Sequence, residues 1–471
     1  MKYTKILIAV LLSAAVFAGC VTQPGHQQTP PSTQDTTVST TVPTTQPTTK
    51  PTTAPTTEPT TEPTTEPTTA PTTVPTEPPI VKETTATIGA TGDILLHDLV
   101  IRSGYDKQTG TYNYDDIFTF FQEYASKVDY AVANLEVTLC GDDNGYSYKG
   151  YPCFNSPDAI VDALKNAGFD MLLTANNHAY DTGNVGFHRT QQVIADKGLS
   201  HIGTRPSEED KPYTVVDVNG IRVGMINYTY CTGLSAEGKV ALNGIGLSLD
   251  NSKLVNVFHY QQLDTFYAQL QSQVDAMRDE GAEALVIYIH WGDEYQIKHN
   301  AKQEKIAQQL CNMGFDVIVG NHAHVPQDTQ LLTSQVDENH KTACLYSTGN
   351  AISNIYGNNT FPVQTEDGML FTFTFAKYSD GTVVVESVDI LPTWVYRYYN
   401  DDGVCKFKIF TMDDSVKDWQ EQMDLSDSQL KSCQASYDRT MDIVGEGLAD
   451  INDWCQANQA AVENQLGVLP E

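Results

Sequence analysis

The sequence predicts an α/β fold in which one sizeable layered domain follows an extended stalk, and three observations carry this. Short apolar runs recur from Thr84 onward with helix-period segments between them. Those runs end in polar residues of types that bind metals. Ahead of Thr84, a Pro/Thr-rich tract has no apolar face to bury and cannot offset its own chain entropy. The runs that read as buried strands are residues 85–91, 130–135, 171–175, 222–228, 284–290, 317–319, 343–347 and 369–375. Helical periodicity fills 157–167, 184–197, 263–280 and 302–313. Alternation of this kind favours a single domain, 84–411, over several small ones.

The N-terminus reads as an export signal. Residues 1–20 carry Lys2 and Lys5, an apolar run over 6–17, and then Ala18-Gly19-Cys20; the run is shorter than the roughly 20 residues that span a bilayer. The small-small-Cys ending resembles a bacterial lipobox, with Cys20 as the lipidated first residue of the mature chain, although Phe17 stands where an aliphatic residue is usual. The expectation is an extracytoplasmic protein, lipid-anchored to the bacterial cell membrane and extending into the cell wall. A plainly secreted chain is the alternative.

Residues 21–83 form the disordered linker, in which Pro-Thr-Thr-Xaa repeats from Pro43 to Val74. Fifty such residues in polyproline II geometry reach about 150 Å. Against 59 Asp+Glu the chain has only 28 Lys+Arg, a net charge of −31, which excludes nucleic acid as a partner because no basic face exists to neutralise phosphates. The nine cysteines include no CxxC pair, so a zinc ribbon or a dithiol redox site is not expected. Cys140 and Cys153 are the local candidates for a disulfide, with buried free thiols as the alternative. Residues 412–471 form an acidic C-terminal region whose apolar positions, Trp419, Met423, Leu430, Val444, Leu448 and Ile451 among them, predict packed helices.

Polar clusters follow five of the expected strands: Asp93, then Asn134 with Glu136, then Asn176-Asn177-His178, then His290-Trp291-Gly292-Asp293-Glu294, then Asn321-His322-Ala323-His324. Carboxyl ends of strands in an α/β sheet converge on one crevice. A lone histidine after a strand is ordinarily a capped or surface residue, but five coincident clusters argue for a common site. The candidate ligands are Asp93, Glu136, Asn177, His290, His322 and His324. Mixed carboxylate and imidazole donors suit Mn, Fe or Zn. Six donors exceed one tetrahedral shell, so two divalent ions sharing a carboxylate are expected, an arrangement suited to clamping an oxyanion and activating water. Gly92 is expected to let the backbone turn sharply beside the ion.

At these residues the chain resembles the CapA family of poly-γ-glutamate capsule proteins, within the calcineurin-like metallophosphoesterase superfamily. The matching motifs are Thr-Gly-Asp at Asp93, Asn-Leu-Glu over 134–136, Ala-Asn-Asn-His-Ala-Tyr-Asp-Thr-Gly over 175–183, His-Trp-Gly-Asp-Glu over 290–294, Gly-Asn-His-Ala-His-Val-Pro-Gln over 320–327 and Tyr-Ser-Thr-Gly-Asn over 346–350. The resemblance implies a layered α/β/β/α metallophosphoesterase-like sandwich. It implies that Asp93 and His324 hold one ion, that Asn177, His290 and His322 hold the other, and that Glu136 bridges them. It makes His178 the general acid, or else a hydrogen-bonding support, with Asp181 orienting either His178 or the loop and Glu294 supporting His290. The chain departs from the superfamily pattern at Leu95, where related phosphoesterases place a histidine; the nearest histidine is His97.

Gly349 and Asn350 are read as the rim of the site or as a tight turn. Tyr114, Tyr146, Tyr148, Tyr151, Trp291 and Tyr295 either line a polymer groove or pack in the core. The implied function is a surface protein of capsule biosynthesis, export or anchoring that acts on an anionic polymer such as poly-γ-glutamate, alongside capsule synthesis machinery, as a metal-dependent hydrolase or transferase. A non-catalytic polymer-binding subunit is the alternative, and a nucleotidase-like enzyme a further one.

Overall fold

The computed structural model describes residues 80–413 and 422–464. The signal segment, Cys20 and nearly all of the linker lie outside the described residues. Fifteen strands make up two main sheets: β1 (Lys82–Ile94), β2 (Tyr130–Leu135), β3 (Met171–Leu173), β4 (Ser200–Ile202), β5 (Tyr213–Val218), β6 (Ile221–Tyr230), β7 (Val257–Phe258), β8 (Ala284–His290), β9 (Val317–Asn321), β10 (Thr329–Thr333), β11 (Lys341–Leu345), β12 (Asn350–Ile352), β13 (Asp367–Tyr378), β14 (Val383–Tyr399) and β15 (Cys405–Thr411). The first sheet has the order β15-β14-β13-β1-β2-β3-β4, with β12 also pairing with β1; the second runs β7-β6-β8-β9-β11-β10, with β5 on β6. Within the first, β1 through β4 are parallel, and within the second β6, β8, β9 and β11 are parallel. Parallel neighbours bring their carboxyl ends to the same edge, which is what a shared site requires.

The two sheets share one apolar core. Ile88, Ala90, Val132 and Met171 of the first pack in the same cluster as Val223, Met225, Val286 and Val319 of the second. On the other face of the first sheet, Ala131, Ala133, Leu135 and Leu172 join Ile160 and Leu164 of α1 (Ala159–Asn166) and Ile194 of α2 (Gly183–Asp196). On the other face of the second, Leu285, Ile287, Ile289 and Ile318 join Leu270 and Val274 of α3 (Leu263–Asp279) and Ile306 and Leu310 of α4 (Ala301–Asn312). Side chains alternate along a strand, so Val132 in the shared core places Asn134 and Glu136 on that inner face. The same period carries Val286 and Tyr288 to His290.

β1 breaks this rule, and the break positions Asp93. Ala86, Ile88 and Ala90 face the shared core, and strict alternation would turn Asp93 away from it. The pairing of β1 with β2 shifts register between Thr91 and Asp93, an irregularity that re-aims the side chain. Gly92 is required there for space. A Cβ at residue 92 would lie 1.9 Å from the carbonyl oxygen of Gly349, and Gly92 is absent from the residues of positive φ. The expected sharp turn is therefore replaced by a close approach of two backbones.

Among the described residues, the acidic C-terminal region includes the long helix α5 (Asp427–Asn464). Val444, Leu448 and Ile451 enter the core between the sheets. The guanidinium of Arg439 forms a two-pronged pair with the fully buried carboxylate of Asp367 at 2.6 and 2.7 Å. Cys140 and Cys153 are both free thiols, so the local disulfide is not formed.

Two glycines of α5 test the packing. Glycine to alanine in an exposed helix interior stabilises by up to about 1 kcal/mol. Gly445→Ala, where an added Cβ meets nothing within 4 Å, should show that gain. Gly447→Ala should lose stability, because its Cβ would fall 2.0 Å from the backbone oxygen of Thr329. Urea denaturation of the two variants should give shifts of opposite sign.

Candidate metal centre

At the carboxyl edge of both sheets the ligand candidates meet. Asp93 Oδ1 accepts from Asn134 Nδ2 at 2.7 Å, and Asp93 Oδ2 lies 3.0 Å from His324 Nδ1. Around His290 Nε2 stand Asn177 Oδ1 at 2.8 Å, His322 Nδ1 at 3.1 Å and Glu136 Oε1 at 3.4 Å. Glu136 Oε1 also lies 4.0 Å from His324 Nε2. Two triads of ligand atoms follow, Glu136 with His290 and His322, and Asp93 with Glu136 and His324, each with all atoms within 4.8 Å of one another. Glu136 belongs to both.

The electrostatics call for a cation. Asp93 and Glu136 are completely buried. Burial, and next the neighbouring charge of Asp93, push Glu136 well above the usual carboxylate range. Burial also opposes ionisation of Asp93, but the hydrogen bond and charge of His324 outweigh it and hold that carboxyl low. Burial lowers His290 to about 3 and pushes His322 well below its ordinary value, so both rings are neutral and have lone pairs to offer a metal. Among the described residues, Glu136 Oε1 has no hydrogen-bond partner. A buried carboxylate oxygen left unpaired is costly, and here three other acceptor-type atoms converge beside it. Donor set and orphaned oxygen both fit a divalent cation.

Residues 87–355 match the family described as bacterial capsule synthesis protein PGA_cap. The chain belongs to that family. PGA_cap belongs to the metallophosphoesterase-like superfamily. Among its relatives, the capsule biosynthesis protein CapA of Bacillus anthracis is 27% identical over 236 residues, covering 50% of this chain and 54% of that protein. The PGA biosynthesis protein CapA of Bacillus subtilis (strain 168) is 24% identical over 319 residues, covering 67% of this chain and 75% of that one. The chain thus spans about half the length of the anthracis relative.

Within this PGA_cap centre, His178 and Asp181 form a buried pair. A carboxylate only accepts, so His178 Nδ1–H donates to Asp181 Oδ2 at 2.7 Å, and the same oxygen accepts the backbone N–H of Phe154 at 2.6 Å. The rings of His178 and His97 pack edge-on against Phe154, at 4.8 and 5.2 Å. His97 belongs to none of the ligand groups; its Nδ1 accepts the N–H of Asn354 at 3.2 Å, and burial lowers it to about 4. Leu95, 1% exposed, is packed into the core on the helical side of the first sheet. Glu294 groups with His322 and His324, where a position beside His290 was expected. Asn350 donates to the carbonyls of His324 at 3.1 Å and Thr365 at 2.9 Å, anchoring the histidine loop. Trp291, Tyr114 and Tyr346 are core residues, whereas Tyr151 is largely exposed.

Sequence reasoning placed Asn134 and Asn176 in the strand-end clusters but gave them no role. Asn134 bonds Asp93 and also approaches Glu136 Oε2 and His290 Nδ1 at 3.4 Å each. Its period-2 spacing from Glu136 was the available signal. Asn176 holds the Asn134 amide at 3.2 Å. Phe154, Tyr230, whose ring lies 4.9 Å from His322, and Asn243, 3.5 Å from His178 Nδ1, carry no local signal of a site.

Chelation of divalent metal should lower the thermal unfolding midpoint. At a metal concentration of 100 Kd the bound form gains about 2.7 kcal/mol. Glu136→Gln removes the orphaned charge and should narrow the gap between metal-loaded and chelated protein in scanning calorimetry. Equal midpoints with and without chelator would refute the assignment.

Proposed function

We propose that this chain is a cell-surface protein of capsule biosynthesis, a layered α/β/β/α metallophosphoesterase-type sandwich carrying a two-metal hydrolase or transferase centre that handles an anionic polymer such as poly-γ-glutamate. The observation that carries the reading is the single unpartnered Glu136 oxygen shared by two ligand triads. Asp93 and His324 would hold one ion, Asn177, His290 and His322 the other, with Glu136 common to both. Bound there, a metal pair supplies a Lewis acid for a phosphoryl or carbonyl oxygen and a lowered pKa for water.

The chain's own residues do the rest. Asp181 fixes the His178 ring through Nδ1, and among the described residues nothing hydrogen-bonds Nε2. That nitrogen is left to deliver a proton to a leaving oxygen or amide nitrogen. Asn134 orients Asp93, and Asn176 orients Asn134. The relatives' names attach PGA and capsule biosynthesis to those proteins, and the polymer, the capsule machinery and the two-metal count are part of this proposal. So are a lipid on Cys20, the membrane it would enter and a cell-wall stalk over residues 21–83.

A non-catalytic polymer-binding role is the second reading, favoured by Leu95 in place of the superfamily histidine. Activity separates the two. With Mn²⁺, Fe²⁺ or Zn²⁺ supplied, wild-type protein should cleave bis(p-nitrophenyl) phosphate or shorten poly-γ-glutamate on gel filtration. His178→Ala should lower kcat about 10²–10⁴-fold with metal content intact. Asn177→Ala and His324→Ala should lose metal as well, by elemental analysis. Unchanged activity and stoichiometry in all three would refute the catalytic reading. For the anchor, Cys20→Ser should release the protein from the membrane fraction into the medium.

A further inference from the structure

We propose that Glu294 is itself a ligand of the metal centre, supplied from the solvent side where the chain lacks the superfamily histidine. This rests on the two-metal reading above. A Glu294 carboxylate oxygen and nitrogens of His322 and His324 lie within 4.8 Å of one another. These are the same two histidines that the buried Glu136 approaches through the other triads, so one buried and one exposed carboxylate flank them. The group around His290 does not include Glu294, which argues against a supporting role behind that ring.

The loop carrying Glu294 is built to hold it there. Trp291 N–H donates to the Asn321 carbonyl at 3.2 Å and Tyr295 N–H to the Ala323 carbonyl at 2.7 Å, so residues 291–295 are laced to the loop that bears His322 and His324. Gly292 N–H donates to the Tyr260 hydroxyl at 2.9 Å. Tyr295 adopts φ +64°, a left-handed conformation rare for a bulky residue and typical of positions where function over-determines the backbone. Glu294 makes no ion pair with Lys or Arg among the described residues, while its charge acts on Glu136, Tyr230, Tyr295 and His324.

The segment after Asp93 cannot fill the same place. Leu95 is core, and His97 is turned to the backbone of Asn354. A third carboxylate in the shell favours a harder ion such as Mn²⁺ over Zn²⁺.

The test is Mn²⁺ binding by calorimetry to the full-length chain, its Glu294→Gln variant, and Asp293→Asn as a neighbouring control whose carboxylate accepts from Asn300 at 2.8 Å. Glu294→Gln should weaken one Mn²⁺ by more than 100-fold and alter the visible spectrum of the Co²⁺-loaded protein, whereas Asp293→Asn should match wild type. Outer-shell partners cost 10–100-fold, so a weakening with an unchanged Co²⁺ spectrum overturns ligation. Mn²⁺ binding equal to wild type in Glu294→Gln also overturns it and leaves the two-metal reading standing. A wild-type chain that binds no divalent ion overturns both.

Discussion

Two carboxylates, Asp93 and Glu136, stand side by side without exposure at the edge where the parallel strands of two sheets end. No hydrophobic packing explains a pair of this kind, since each charge is expensive to bury and each worsens the other. Among the described residues, amide groups and the neutral imidazoles of His290 and His322 stand beside the pair, and no Lys or Arg pairs with it. His324 is the one group that burial does not drive neutral, because Asp93 holds its proton. That partial compensation leaves Glu136 unsatisfied. Everything else at this edge, from the register shift in β1 to the asparagine chain from Asn176 to Asn134 to Asp93, keeps the carboxylates in place.

The strands that build this edge were legible because a strand buried on both faces must be apolar throughout. β2 and β8 match their expected bounds to the residue, and α1 to α4 lie within two residues of theirs. Strands on the periphery were not legible. β5, β10, β14 and β15 are antiparallel and mix polar with apolar residues, as in Cys-Lys-Phe-Lys-Ile-Phe-Thr over 405–411. β4 has only three residues. Nothing in such segments separates them from loops until a neighbouring strand is known.

The site was readable for a different reason. Residue type at a strand's carboxyl end announces chemistry, and parallel topology turns separation along the chain into proximity in space. What composition could not supply was direction. Asp93 reaches the crevice only through a register irregularity, and His322 and His324 do so from positive φ values of 96° and 56°. Backbone strain of this sort is invisible in a string of residue names. Glu294, which the resemblance places behind His290, groups with His322 and His324, and the hydrogen bonds of residues 291 and 295 tie its turn to that loop.

Leu95 is the decisive residue for how far the superfamily comparison reaches. Were it a vacancy in the ligand shell, its side chain would face the crevice and the centre would be short of one donor. It instead packs with Ile94 and Leu96 against the helical layer, so a histidine there would be buried among apolar side chains at a cost of several kcal/mol unless it found a partner. The loop after Asp93 has been given over to core packing. The 291–295 turn, hydrogen-bonded to the histidine loop, presents a carboxylate beside both rings from a different strand end.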